Sequence, residues 1–163
     1  MPAGPDDPRG EKGYERADRN LAELLQELRV ALPGVQVLFA FLLTVPFTPR
    51  FEALSPTQQK LYFGTLLSTA LTTALLVAPS ANHRMLFRKR DKEHIVVIAN
   101  RLTIAGLASM ALSMCGVILL ISDVMFDAMT PAVATCGAAA IFTWLWFVRP
   151  IRRRRRLEDE PEP

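Results

Sequence analysis

The residues of this sequence that could do chemistry collect where charged stretches meet apolar ones. Glu23, Glu27 and Arg29 precede one uncharged run, His83 and Arg84 follow a second, and Asn100 and Arg101 open a third. Gln36 lies inside the first run. A carboxylate facing a guanidinium at such a boundary has two readings. It is an ion pair that fixes helix register, or it is a gate through which a cation or proton passes into the membrane. The ion pair, with snorkelling arginines around it, is the simpler reading, and Glu27 with Arg101 is its expected core. The Gln36 amide needs a hydrogen-bonding partner in hydrocarbon, so it is expected to face other helices rather than lipid.

Other chemistry finds less to build on. His83 and His94 are the two histidines, eleven residues apart and with no cysteine beside them, so no metal site is expected. There is no nucleophile–base motif, glycine-rich phosphate loop or pair of catalytic acids, so neither an enzyme nor a cofactor is expected. Cys115 and Cys136 both fall in apolar runs. Packing as small hydrophobes, in contact between the two runs, is expected of them ahead of redox chemistry. Near the end stand Arg152, Arg153, Arg154, Arg155 and Arg156. They read first as a topology determinant, partly neutralised by the acids that follow. The second reading is contact with anionic lipid head groups, at about 1 kcal/mol per residue. Nucleic acid is not an expected partner.

The elements that must carry these residues follow from how charge is partitioned. The chain has 163 residues, of which 50% are apolar and 21% charged. Stretches 30–47, 61–79, 102–121 and 129–148 contain no Asp, Glu, Lys, Arg or His. Each approaches the roughly 20 residues that an α-helix needs to cross a bilayer. A soluble globule is excluded, and the expected fold is an all-α membrane protein, a bundle of four transmembrane helices. The expected order is a disordered tail (1–13), an amphipathic cytoplasmic helix (14–29), the transmembrane domain (30–148) and a polybasic, then acidic, tail (149–163).

Basic residues number 5, 2, 6, 0 and 6 in the segments before, between and after the four spans. That alternation predicts a multi-pass protein of the inner membrane with both termini cytoplasmic. Asp123 and Asp127 occupy the connection that has no basic residue.

Leu21, Leu24, Leu25 and Leu28 recur at helical spacing and make 14–29 amphipathic. This helix either lies along the membrane surface or packs under the bundle. Pro33 predicts a bend near 32–34, and Ser55-Pro56 a turn or helix start. Small and hydroxylated residues form strips at Gly64, Ser68 and Thr72, at Gly106, Ser109, Ser113 and Gly116, and at Ala132, Cys136 and Ala140. Such strips let membrane helices approach closely. The third helix should outrun its uncharged core, since only Arg101 interrupts 95–121. Trp144 and Trp146 are expected interfacial anchors.

Carboxylates are absent from all four spans. Ion-coupled transport ordinarily needs one at membrane depth, which sets transport behind a structural role.

The runs Glu27-Leu28-Arg29-Val30-Ala31 and Gly34-Val35-Gln36-Val37-Leu38-Phe39-Ala40-Phe41 resemble a family of small four-helix integral membrane proteins of unknown function from high-GC Gram-positive bacteria. Ala78-Pro79, His83-Arg84, Phe87-Arg88 and Asn100-Arg101 are similar too. The resemblance covers roughly residues 20–125. Some members carry an automatic label as sodium:proton antiporters, and the family offers no catalytic residues to carry over. The expected function is that of a non-enzymatic structural, accessory or oligomeric interaction protein. Its partners would be the lipid bilayer and either further copies of itself or a larger membrane complex. The alternative is a cation/proton antiporter or small transporter gated by the polar residues above.

Overall fold

The computed structural model describes residues 13–86, 92–126 and 129–159. Every element among them is helical: α1 (Gly13–Thr44), α2 (Pro56–Leu86), α3 (Lys92–Met125), α4 (Met129–Thr143) and α5 (Arg149–Asp159). Short 3-10 turns, Val45–Phe47 and Pro49–Phe51, follow α1, and a π turn, Trp144–Val148, joins α4 to α5. Four segments are long and apolar enough to cross a membrane: Arg19–Phe47, Pro56–Asn82, Val96–Met125 and Met129–Arg153. The expected all-α, four-span architecture is the one observed. Residues 1–12 and 160–163, where the chain ends read as disordered, lie outside the described residues; Glu158 and Asp159 instead close α5.

The amphipathic segment and the first span are one helix. Buried positions in α1 recur every seven residues, at Leu21, Leu28, Val35 and Leu42, with half-buried residues such as Leu24, Leu25, Leu38 and Phe39 between them. A seven-residue repeat keeps one seam facing a partner over many turns. The helix runs on through Pro33, where the sequence predicts a bend. Pro33 sits on the exposed face, and there the Arg29 carbonyl that its ring crowds can tilt outward.

The chain divides into two compact units, Met1–Phe47 with Leu67–Met110 and Thr48–Leu66 with Ala111–Pro163. In the first, Leu21 packs on Ala99, flanked by Leu24, Leu25 and Val96. The start of α1 is therefore docked on the start of α3. Also in this unit, α2 meets α3 where Ser68 faces Ser109 and Leu76 covers Gly106.

In the second unit α2 begins with a reciprocal cap. The Ser55 backbone N–H donates to Gln58 Oε1 at 2.9 Å, and the Gln58 N–H donates to Ser55 Oγ at 3.3 Å. This is a capping box with proline at the first helical position, as Ser55-Pro56 predicts. Phe51 stands edge-on to buried Tyr62, ring centroids 5.2 Å apart, which ties the preceding connection to α2. Thr65 of α2 lies against Gly116 of α3.

α2 continues past Pro79 to Leu86, beyond the expected end of its span. α3 has 34 residues, about 50 Å at 1.5 Å per residue, so it outruns its uncharged core as expected.

Candidate functional site

The residues expected to gather into a polar cluster are held by α1, α2 and α3 of the first unit. Leu21, Leu24 and Leu25 turn toward Val96 and Ala99, and that apolar docking sends the polar residues of both helices elsewhere. Glu27, Arg29, Arg84, Asn100 and Arg101 are all exposed. Glu23 makes an ion pair along its own helix, Arg19 Nε to Glu23 Oε1 at 3.7 Å, a surface pair of the kind that contributes a few tenths of a kcal/mol. No ion pair joins Glu27 to Arg101 among the described residues. The side chain of His83 lies outside the described residues. The pairing expected at this boundary is thus corrected: an apolar contact holds the two helices.

Gln36 is the second correction. It was expected to face neighbouring helices, yet it is exposed. The reason is the seven-residue seam. Val35 and Leu42 occupy the buried stripe, and the next residue along a helix is turned about 100° from it. Gln36 shares its stripe with Arg29, seven positions earlier, and both are exposed.

The hydroxyl strips of α2 and α3 are absorbed by packing. Thr65 donates to the Leu61 carbonyl at 2.8 Å, Thr72 to Ser68 at 2.9 Å, Thr73 to Thr69 at 3.0 Å and Thr103 to Ala99 at 2.9 Å. Ser68 and Ser109 clasp each other. Ser109 Oγ donates to the Ser68 carbonyl at 3.0 Å and Ser68 Oγ to the Ser109 carbonyl at 3.3 Å. Each of these hydroxyls donates to a backbone carbonyl, and the strips meet where α2 packs on α3, so they read as helix packing.

The strip on α4 differs. Ala132, Cys136 and Ala140 are exposed, as is Gly137, and a Cβ at Gly137 would meet nothing within 4 Å. The cysteines are free thiols, with Cys136 exposed, so Cys136 does not have the buried packing role expected of it. Thr135 Oγ1 is buried without a hydrogen-bond partner among the described residues.

At the far end of α2 and α3, the Gln58 amide donates to Asp123 Oδ2 at 2.8 Å. One cleft is lined by Pro56, Gln59, Lys60, Phe63 and Gly64, and another by Asp123 to Phe126 with Thr130. Neither includes Glu27, Gln36 or Arg101. No group of three His, Cys, Asp or Glu that could hold a metal occurs among the described residues.

The sequence matches a family of unknown function, DUF6328, over residues 10–150. The chain belongs to that family. The match takes in α1 to α4 and the π turn, and it stops ahead of Arg152 to Arg156. No curated protein and no solved structure matches the chain.

Two features of this DUF6328 member escaped sequence reasoning. One is the Gln58–Asp123 bond. The other is the π turn, in which the Arg149 N–H donates to the Trp144 carbonyl. Its signal was present, because Pro150 has no N–H to give the Trp146 carbonyl and its ring crowds that oxygen, so a regular α turn cannot close there. Beyond the turn the Arg152 guanidinium lies over the Trp144 ring, 5.1 Å from its centroid.

Proposed function

We propose that this protein is a non-enzymatic subunit of the inner membrane, with both termini in the cytoplasm, that works by assembling with copies of itself or within a larger membrane complex. The observation that carries this reading is Gln36. Its carboxamide is exposed on a helix face whose neighbours Val37 and Phe41 are apolar and 72% and 57% exposed. Lipid offers an amide nothing to bond, whereas a second protein surface does. An amide both donates and accepts, so two copies of Gln36 would satisfy each other across a two-fold axis. The exposed Ala132, Cys136, Gly137 and Ala140 of α4 support the same reading, since α2 and α3 use equivalent strips to bind each other. The distribution of basic residues supports the orientation.

The antiporter reading draws no such support, because no hydrogen bond or ion pair links Glu27, Gln36 and Arg101 among the described residues. The test is the mass of the full-length protein in nanodiscs prepared over a range of protein-to-lipid ratios. A strictly monomeric particle that co-isolates nothing overturns the proposal. An oligomer weakened by Gln36→Leu supports it, with a loss of roughly fivefold in association for one interhelical hydrogen bond of about 1 kcal/mol. Oxidative cross-linking of the natural Cys136, absent from Cys136→Ala, would place the contact on α4 instead of α1. A reporter active only in the cytoplasm, fused to each terminus in turn, tests orientation.

A further inference from the structure

Past the π turn, the helix axis continues from the apolar span into α5, and Arg152 does something unusual for a residue in a basic run. Its guanidinium lies over the ring of Trp144, eight residues earlier. The side chain therefore runs back toward the apolar span rather than away from it, in the direction that helical side chains lean. Trp144 itself is half exposed, at 50%, and an indole at the end of an apolar span belongs at the level of the lipid head groups. A guanidinium held over a ring by its charge still has N–H donors to offer, and a guanidinium can grip a phosphate through two parallel bonds. Among the described residues no carboxylate pairs with Arg152. Arg149, Arg153 and Arg156 follow the spacing that places them on the same face of α5 as Arg152, and all are exposed.

We propose that Trp144 and Arg152, with Arg149 and Arg153 beside them, form a binding site for the phosphate of an anionic phospholipid head group. The indole sets the depth and holds the fork, and the neighbouring guanidiniums supply the field. That field favours a head group with net negative charge over a zwitterionic one, whose amine or choline would sit among three arginines. The π turn is part of the site, because a wider turn at 144–148 sets the angular position of Arg152 relative to the ring.

The experiment uses the full-length protein, delipidated and then offered equimolar phosphatidylglycerol and phosphatidylcholine of identical acyl chains, with retained lipid measured by native mass spectrometry. Phosphatidylglycerol should be retained preferentially, and Arg152→Gln should reduce its retention on the order of tenfold. Arg154→Gln, two positions along α5 and so turned about 200° from Arg152, should cost no more than the roughly fivefold of any single surface charge. Trp144→Leu, which removes no charge, should reduce retention several-fold, and Trp144→Phe, which keeps a weaker ring, should fall between Trp144→Leu and the natural protein. Equal effects of Arg152→Gln and Arg154→Gln together with no effect of either Trp144 variant would overturn the site and leave diffuse electrostatics. Displacement of the lipid by millimolar inorganic phosphate would also overturn it, as a site for free phosphate.

Discussion

Gln58 of α2 and Asp123 of α3 are bonded amide to carboxylate at 2.8 Å, across 65 residues of sequence. The same Gln58 side chain accepts the Ser55 N–H through its carbonyl oxygen. One residue thus caps a helix with one atom and ties it to its neighbour with another. Gln58→Ala should cost about 1–2 kcal/mol of stability, since it removes a cap interaction and a hydrogen bond to a charged group together. Asp123→Ala leaves the cap intact and should cost less. Unfolding of the two single variants and the double variant in micelles checks this. Additive losses would show that the bond contributes nothing.

Like Gly116→Ala, whose added Cβ would run into Thr65 Oγ1, Gly106→Ala should be damaging. Its added Cβ would stand 2.5 Å from Leu76 Cδ2 and 2.9 Å from Leu76 Cγ, and Leu76 is fully buried, so it has little room to yield. Overpacking of this kind costs about 1–3 kcal/mol. Gly137→Ala meets nothing and should leave the unfolding midpoint in dilute micelles unchanged or slightly raised.

The Ser68–Ser109 clasp should prove weaker than its two hydrogen bonds imply. Both carbonyls that it uses belong to helices, so removing a hydroxyl leaves no acceptor stranded. Ser68→Ala and Ser109→Ala should each cost about 0.6 kcal/mol, the average for interhelical bonds in membrane bundles. The double variant should cost less than the two singles summed. A single loss above 2 kcal/mol would mean that the hydroxyls also hold something else.

Glu27→Gln and Arg101→Gln should each shift stability by no more than about 0.5 kcal/mol, the range of exposed positions without partners. A larger loss in each single variant that is relieved in the double variant would reveal the ion pair that the described residues do not show.

The spans, the helical class, the length of α3 and the start of α2 at Ser55 were legible because each rests on local chemistry: uncharged length, periodicity and a capping pair. What local chemistry does not carry is the direction in which a helix faces. The boundary residues Glu27, Asn100 and Arg101 share a depth, and the step from depth to contact fails because Leu21 and Ala99 claim the interface between α1 and α3. Gln36 was misjudged by a general rule about polar residues, although the repeat Leu21, Leu28, carried forward by sevens, arrives at Val35 and Leu42 and leaves Gln36 outside. The strip on α4 is as readable as those on α2 and α3, but nothing in its own residues says whether its partner lies in the same chain.

The docking of Leu21 on Ala99 also fixes an order of events during synthesis. The seam of α1 is made first, yet its described partner lies 78 residues downstream by number. At about 5–20 residues per second, α1 waits on the order of ten seconds before that partner exists. Through that interval a helix with an uncovered leucine seam and an exposed glutamine must be shielded by the insertion machinery or by lipid. The first helix to enter the bilayer is therefore among the last to be secured there, and the emergence of α3 marks the moment at which the chain can close on itself.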